Sequence, residues 1–331
     1  MVGKAPHKTR RSQSLQLCVT KSFKRGKHTP VLLKEILEFF KPEKDKLYID
    51  CTLGLGGHAG ALLEQGARVI AIDADQASKK LAEANLGRFG SKFKAYLGNF
   101  ADVLGNFTPE HEDKIDGILA DLGLSSWQLE QSQRGFSFKR DEPLDMRMAD
   151  SKSAKGIPIE NIKGTAAWII NTYKEKELAN LIYGFGEERL SRKIARVIVI
   201  TRKKDPIRTT AKLAQLVVST YPPKLRFKSK IHPATRTFQA LRIAVNNELE
   251  SLEQALPIAI KLLKNGGRIA VISFHSLEDR IVKNFFRDEA AQGNLKILTK
   301  KPVSPSVEEV SKNPRSRSAK LRVAERITTD I

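Results

Sequence analysis

The sequence predicts an α/β protein, a doubly wound parallel sheet interrupted by a helical insert. Short continuously apolar runs alternate with helical patterns from residue 28 to about 126, the mark of strands covered on both faces. Between 127 and 236 that rhythm stops and only helical periodicity remains; after 237 it returns. A glycine-rich turn, Gly54 to Gly60, follows the first apolar run, where open α/β sheets take up ligands.

The elements follow in order. Thr29-Pro30 reads as an N-cap with proline in the first helical turn, and Val31, Leu32, Ile36, Phe39 and Phe40 continue an apolar stripe. Leu47 to Asp50 is a strand, Ala61 to Gln65 lies in a helix, and Arg68 to Asp73 is a second strand. A helix over 76–89, a strand near 93–97 and the strand Gly117 to Asp121 complete the parallel series. The insert holds helices near 164–172, 175–183, 187–203 and 209–220. A long helix over 237–264, stopped by Gly266-Gly267, leads to the strand Arg268 to Phe274. Ser276 is placed to cap a helix with Glu278 and Asp279 in its first turn, and Leu295 to Leu298 and Leu321 to Ile327 supply the last strands.

Of 331 residues, 58 are Lys or Arg and 37 Asp or Glu, a net charge of +21 that points to an anionic partner, most often nucleic acid. The excess is uneven. Residues 1–27 carry eight basic and no acidic side chains, and 127–236 carry 23 against 11. Residues 28–126 are slightly acidic, with 11 against 15, and 237–331 carry 16 against 11. The chain therefore divides into a flexible basic arm (1–27), a sheet domain (28–126 with 237–331) and a basic helical insert (127–236). The acid-free, Arg- and Ser-containing arm also fits an organelle transit peptide; a cytoplasmic setting is the default. No apolar run reaches the roughly 18 residues of a membrane span. Two cysteines, Cys18 and Cys51, and scattered histidines offer neither a disulfide framework nor a metal site.

The strongest local signal is Asp50-Cys-Thr-Leu-Gly-Leu-Gly-Gly-His58, with Asp73 closing the next strand. Glycines let the turn approach a ligand, and a carboxylate ending the second strand can accept both hydroxyls of a ribose. Asp50 and the acidic surroundings oppose a pyrophosphate and so a dinucleotide; S-adenosylmethionine, cationic and without phosphate, suits them better. No phosphate-loop string occurs. Asp121-Leu-Gly-Leu-Ser125 leaves the fourth strand at its carboxyl edge. A delocalised exocyclic amine needs hydrogen-bond acceptors to hold it during attack on a methyl group, and Asp121 and Ser125 could supply them. Trp127 could stack on a base or pack beneath the insert. Neither cysteine is placed as a nucleophile for methylation at pyrimidine carbon, and His275 lacks the nucleophile elbow of a hydrolase. Arg189, Arg192, Lys193 and Arg196 recur at helical spacing beside Leu190, Ile194 and Val197, with further basic clusters at 202–204, 224–230 and 312–326.

Several long strings occur in order: His28-Thr-Pro-Val-Leu-Leu33, Gly54 to His58, Asp121 to Ser126, Arg134-Gly-Phe-Ser-Phe138 and Pro143-Leu-Asp-Met-Arg-Met148. Further on come His232 to Ile243, Ser273 to Arg280 and Asn313 to Lys320. Through them the chain resembles the MraW-type 16S ribosomal RNA cytosine-N4 methyltransferases over about residues 28–327. The resemblance implies a class I S-adenosylmethionine-dependent methyltransferase fold, Rossmann-like, with a helical insert. It also implies methylation of a cytosine amino group in the decoding region of the small ribosomal subunit. Cofactor contacts are implied at Gly56, Gly57, His58, Asp73, Phe100, Asp121 and Gln128, Phe100 and Gln128 on the resemblance alone. Trp127, Glu142 and Ala149 depart from the family pattern in the loop over the site, and the arm 1–27 has no alignable counterpart. The rival reading is an RNA-binding assembly factor without turnover.

Overall fold

The computed structural model describes residues 30–107, 114–149, 157–224 and 231–327. The basic arm, the Thr29 cap and most of the cluster at 224–230 lie outside them. A seven-stranded sheet runs in the order β3-β2-β1-β4-β5-β7-β6. Its strands are β1 (Leu47–Asp50), β2 (Arg68–Asp73), β3 (Phe93–Leu97), β4 (Ile115–Asp121), β5 (Leu263–Ser273), β6 (Leu295–Ile297) and β7 (Lys320–Arg326). β1 to β5 are parallel, and β7 lies antiparallel between β5 and β6. This is the class I methyltransferase arrangement. Strand order reverses between β1 and β4, which opens a crevice at their carboxyl ends. Asp50, Asp73 and Asp121 close β1, β2 and β4, so three carboxylates end at that one edge.

Helices cover both faces, as the uninterrupted apolar strands require. On one face, Leu104 of α4 (Phe100–Gly105) meets Leu252 and Leu256 of α11 (Glu248–Leu262) and Phe286 of α12 (Ser276–Ala291). On the other, Ile36 and Phe40 of α1 (Leu33–Phe40) pack with Leu62 of α2 (Gly57–Glu64) and Leu86 of α3 (Gln76–Leu86). Each such fully buried side chain contributes roughly 1.5–3 kcal/mol.

A third apolar core belongs to the insert. It joins α6 (Ala166–Thr172), α7 (Glu175–Gly186), α8 (Ser191–Arg202) and α9 (Thr210–Thr220) through Ile170, Ile182, Ile194 and Val217. Phe238 and Leu241 of α10 (Thr235–Asn246) are buried in the same core.

Several local expectations need correction. The long helix over 237–264 is two helices, α10 and α11, broken where Asn247 takes a left-handed conformation (φ 50°) that Asn tolerates better than most residues. The Gly266-Gly267 pair does not stop a helix; α11 ends at Leu262, and the glycines lie within the span of β5, beside an irregularity in its pairing with β4. The cap of α12 is His275 rather than Ser276: its imidazole accepts the Glu278 N–H while the Glu278 carboxylate accepts the His275 N–H. The first helix begins only at Leu33, after Leu32 in a left-handed conformation (φ 54°). Ala61 lies within a helix as expected, and that helix, α2, begins at Gly57, which places His58 in its first turn. α8 starts at Ser191, so Arg189 precedes it and its buried stripe is Ser191, Ile194, Ala195 and Ile198.

Candidate active site

The turn after β1 is shaped by backbone needs. Gly56 caps α2 at φ +83°, and a Cβ there would sit 2.7 Å from Leu86 Cδ1. Gly57 opens the helix, and a Cβ on it would meet Pro30 Cγ at 2.4 Å. Both expected glycines are thus required for the turn's shape. Gly54 N–H donates to Asp73 Oδ2 at 2.7 Å, and Asp75 N–H donates to Asp73 Oδ1 at 2.8 Å. A carboxylate has about four lone-pair sites, of which these two donors take two, and Asp73 lines the cavity described next. Burial pushes Asp73 up to about 7 against those two donors.

A cavity of about 500 Å³ opens at this edge, lined among others by Pro30, Gly54, Asp73, Phe100, Asp121 and Phe274. Phe100 is the first residue of α4, and Asn99 caps that helix through Ala101 N–H while donating to Ser251 Oγ at 2.7 Å. An aromatic side chain and a buried-edge carboxylate, Phe100 and Asp73, thus line one cavity.

Asp121 N–H donates to Thr52 Oγ1 at 2.7 Å, which pins the end of β4 to the turn. Its Oδ2 lies 3.5 Å from Nε2 of His58, while its Oδ1 has no hydrogen-bond partner. Asp50 is buried beneath and does not line the cavity; burial pushes it up to about 6, against the His58 charge and the N–H of Thr52. Its bearing on a cationic ligand is therefore through space. Burial also pushes the Cys51 thiol up, which disfavours a thiolate nucleophile.

Ser125 and Gln128 line the cavity but are tied to each other. Ser125 Oγ accepts Gln128 N–H at 3.2 Å, and Gln128 Oε1 accepts Ser125 N–H at 2.9 Å, a capping box at α5 (Ser126–Glu130). The Gln128 amide also donates to Asp75 Oδ2 at 3.2 Å. Asp75 is 1% exposed and pairs with Arg134, which donates in addition to the carbonyls of Arg147 and Met148. Asn246 holds the same loop from the other side, accepting Met148 N–H at 2.7 Å and donating to Met146 O at 2.8 Å. The loop 143–149 is therefore fixed by Asp75, Arg134 and Asn246. None of the three was selected from the sequence; only the helix-cap position of Asp75 was open to such a reading.

The three departures in this region have visible surroundings. The Arg134 guanidinium lies 5.8 Å from the Trp127 ring centroid. Glu142 is buried and accepts the Gly135 N–H at 3.0 Å. Ala149 lines the cavity.

A second polar group, Glu248, His275 and Glu278, brings candidate ligand atoms within 4.8 Å of one another. Its chemistry opposes a metal ion. His275 Nδ1 accepts a backbone N–H, so the ring proton sits on Nε2 and no lone pair is free there. Arg242 already engages both oxygens of Glu248 at 2.8 Å.

The basic candidates divide. Arg192, Lys193 and Arg196 are exposed on α8, with Arg189 beside them, and Arg192 donates to Asn180 at 2.6 Å. Arg202 instead closes the end of α6 through the carbonyls of Ile170 and Tyr173. In the last cluster Lys312, Arg315, Lys320 and Arg322 pair with Glu308, Glu130 and Asp279, so most of that charge is spent internally.

Residues 25–327 match the MraW methylase family. The chain belongs to that family. A relative from Persephonella marina, "Ribosomal RNA small subunit methyltransferase H", is 47% identical over 302 residues, covering 91% of this chain and 99% of its own. One of the same name from a Picosynechococcus strain is 50% identical over 301 residues, covering 90% and 96%. The MraW family assignment makes the chain a methyltransferase, and S-adenosylmethionine is its cofactor. Among the described residues no helix is long and apolar enough to cross a membrane.

Proposed function

We propose that this methyltransferase modifies the N4 amino group of a cytosine in 16S ribosomal RNA, within the small ribosomal subunit. The reading rests on Asp121: at the carboxyl end of β4 its side chain, about one-fifth exposed, lines the cavity beside the glycine turn. The relatives' names support ribosomal RNA as substrate, and the motif resemblance supports cytosine N4.

The cofactor supplies a methyl group activated on sulfonium. Gly56 and Gly57 bring backbone close to its amino-acid end, Asp73 holds the ribose and Phe100 covers the adenine. The Asp121 carboxylate would accept an N–H of the target amine and hold it in orientation for attack. Its negative charge stabilises the positive charge that develops on the base. Ser125 and Gln128 act mainly by holding the β4 exit in shape. The insert, with α10 sharing its core, serves as the RNA-holding part, and Arg189, Arg192, Lys193 and Arg196 face phosphates.

The rival without turnover finds no support. The lone-pair geometry of Asp73 and the glycine turn fit the cofactor, and the relatives are named as methyltransferases. The test is label transfer from S-adenosylmethionine to small-subunit RNA by wild type and by Asp121→Ala, with cofactor affinity measured by calorimetry. Loss of transfer with the fold intact is expected; full turnover by the variant would remove Asp121 from the mechanism.

A further inference from the structure

Buried polar atoms without hydrogen bonds are rare in folded proteins and mark places where a ligand or proton is missing. Among the described residues, four of the nine such side-chain atoms belong to one contiguous group: Asp50 Oδ2, His58 Nδ1, His58 Nε2 and Asp121 Oδ1. His58 is 5% exposed, stands between Asp50 of β1 and Asp121 of β4, and approaches Asp121 Oδ2 at 3.5 Å. A third carboxylate, Glu309 of α13 (Val307–Lys312), also acts electrostatically on His58 and Asp121 while accepting Leu32 N–H at 2.8 Å. The imidazole lines the cavity with three carboxylates acting on it and a hydrogen bond to none of them.

Methylation of an exocyclic amine leaves the nitrogen with one proton too many. We propose that His58 is the proton acceptor of the reaction, taking from Asp121 the proton that Asp121 removes from the methylated amine. This rests on the amine-methylating function proposed above. The N–H bond breaks and an O–H bond forms on Asp121, which neutralises the base. That O–H bond then breaks and an Nε2–H bond forms on His58, which restores the Asp121 carboxylate. The resulting imidazolium is stabilised by Asp50, and its proton passes to water when products leave. Nε2 of His58, 3.5 Å from Asp121 Oδ2, is placed to take the proton from Asp121.

The role differs from a cofactor contact, and the two separate experimentally. At saturating cofactor, His58→Asn should lower kcat about a hundredfold and remove the acidic limb from kcat against pH. Asp50→Asn, which touches neither substrate nor cofactor, should move that limb to lower pH, because a neutral neighbour stabilises the imidazolium less. In the complex with S-adenosylhomocysteine, the His58 ring should titrate at correspondingly lower pH by NMR. An unchanged acidic limb in His58→Asn, or an unmoved His58 titration in Asp50→Asn, would overturn the proposal while leaving the methyltransferase reading intact. Absence of transfer by wild type would overturn both.

Discussion

Cofactor affinity should weaken as pH falls through neutrality, and the reason lies in the four lone-pair sites of Asp73. Two are occupied by the N–H groups of Gly54 and Asp75, leaving two for the ribose hydroxyls. A proton on Asp73 takes one of the remaining acceptors. With the carboxyl pushed up to about 7 by burial, the ionised fraction falls roughly tenfold between pH 8 and pH 6, so Kd should rise about tenfold, or about 1.4 kcal/mol. The α-amino group of S-adenosylmethionine also titrates near the upper end of this window, so the Asp73 contribution is the difference in slope between wild type and Asp73→Asn. Calorimetric Kd values at pH 8, 7 and 6, for wild type and Asp73→Asn, test the reasoning. The variant should bind weakly at every pH, because its amide offers fewer acceptors and turns a donor toward backbone N–H groups. An equal slope in wild type and variant would refute it.

Other expectations follow from the same geometry. Asp50 and Asp73 both have folded values above their unfolded ones, so the cofactor-free protein binds more protons than the unfolded chain between about pH 4 and pH 7. Its stability in urea should therefore rise as pH is lowered from 8 to 5, less so in Asp73→Asn, and a falling stability across that window would contradict the burial of these groups. Arg134→Ala leaves the Asp75 carboxylate buried without its partner and should cost about 3–5 kcal/mol in denaturant unfolding. Gly57→Ala drives a methyl into Pro30 and should destabilise by about 1–3 kcal/mol while weakening cofactor binding; unchanged stability and affinity would show that the turn yields freely. Neutralising Arg192, Lys193 and Arg196 should reduce the salt slope of RNA binding by about 2–3, with cofactor affinity unchanged, and an equal slope would make that surface a plain solvated face.

The strands were the most legible part of the chain. β1 and β2 match the apolar runs residue for residue, because a strand covered on both faces admits little else, and the edge strand β3 falls at 93–97 as expected although none of its residues is buried. The site edge was legible for the same reason: Asp50, Asp73 and Asp121 each terminate such a run. Less legible were the points where one backbone conformation redirects the chain. The break at Asn247 interrupts an apolar periodicity that itself continues, and only the left-handed tolerance of Asn marks it. His275 caps α12 with a ring nitrogen in place of the usual hydroxyl, so the neighbouring serine was the natural choice. Arg134 and Asp75 are 59 residues apart, and no local pattern joins them. The same limit applies to Arg202, whose charge looks available for RNA until its carbonyl partners are brought beside it by α6.

The most direct measurement is the identity of the modified nucleoside. Small ribosomal subunits lacking the modification are incubated with the protein and methyl-labelled S-adenosylmethionine, and the RNA is digested to nucleosides and separated. Label in N4-methylcytidine is the predicted result. Label in any other nucleoside, or none from a protein that binds the cofactor, would contradict the assignment of Asp121 to a cytosine amine.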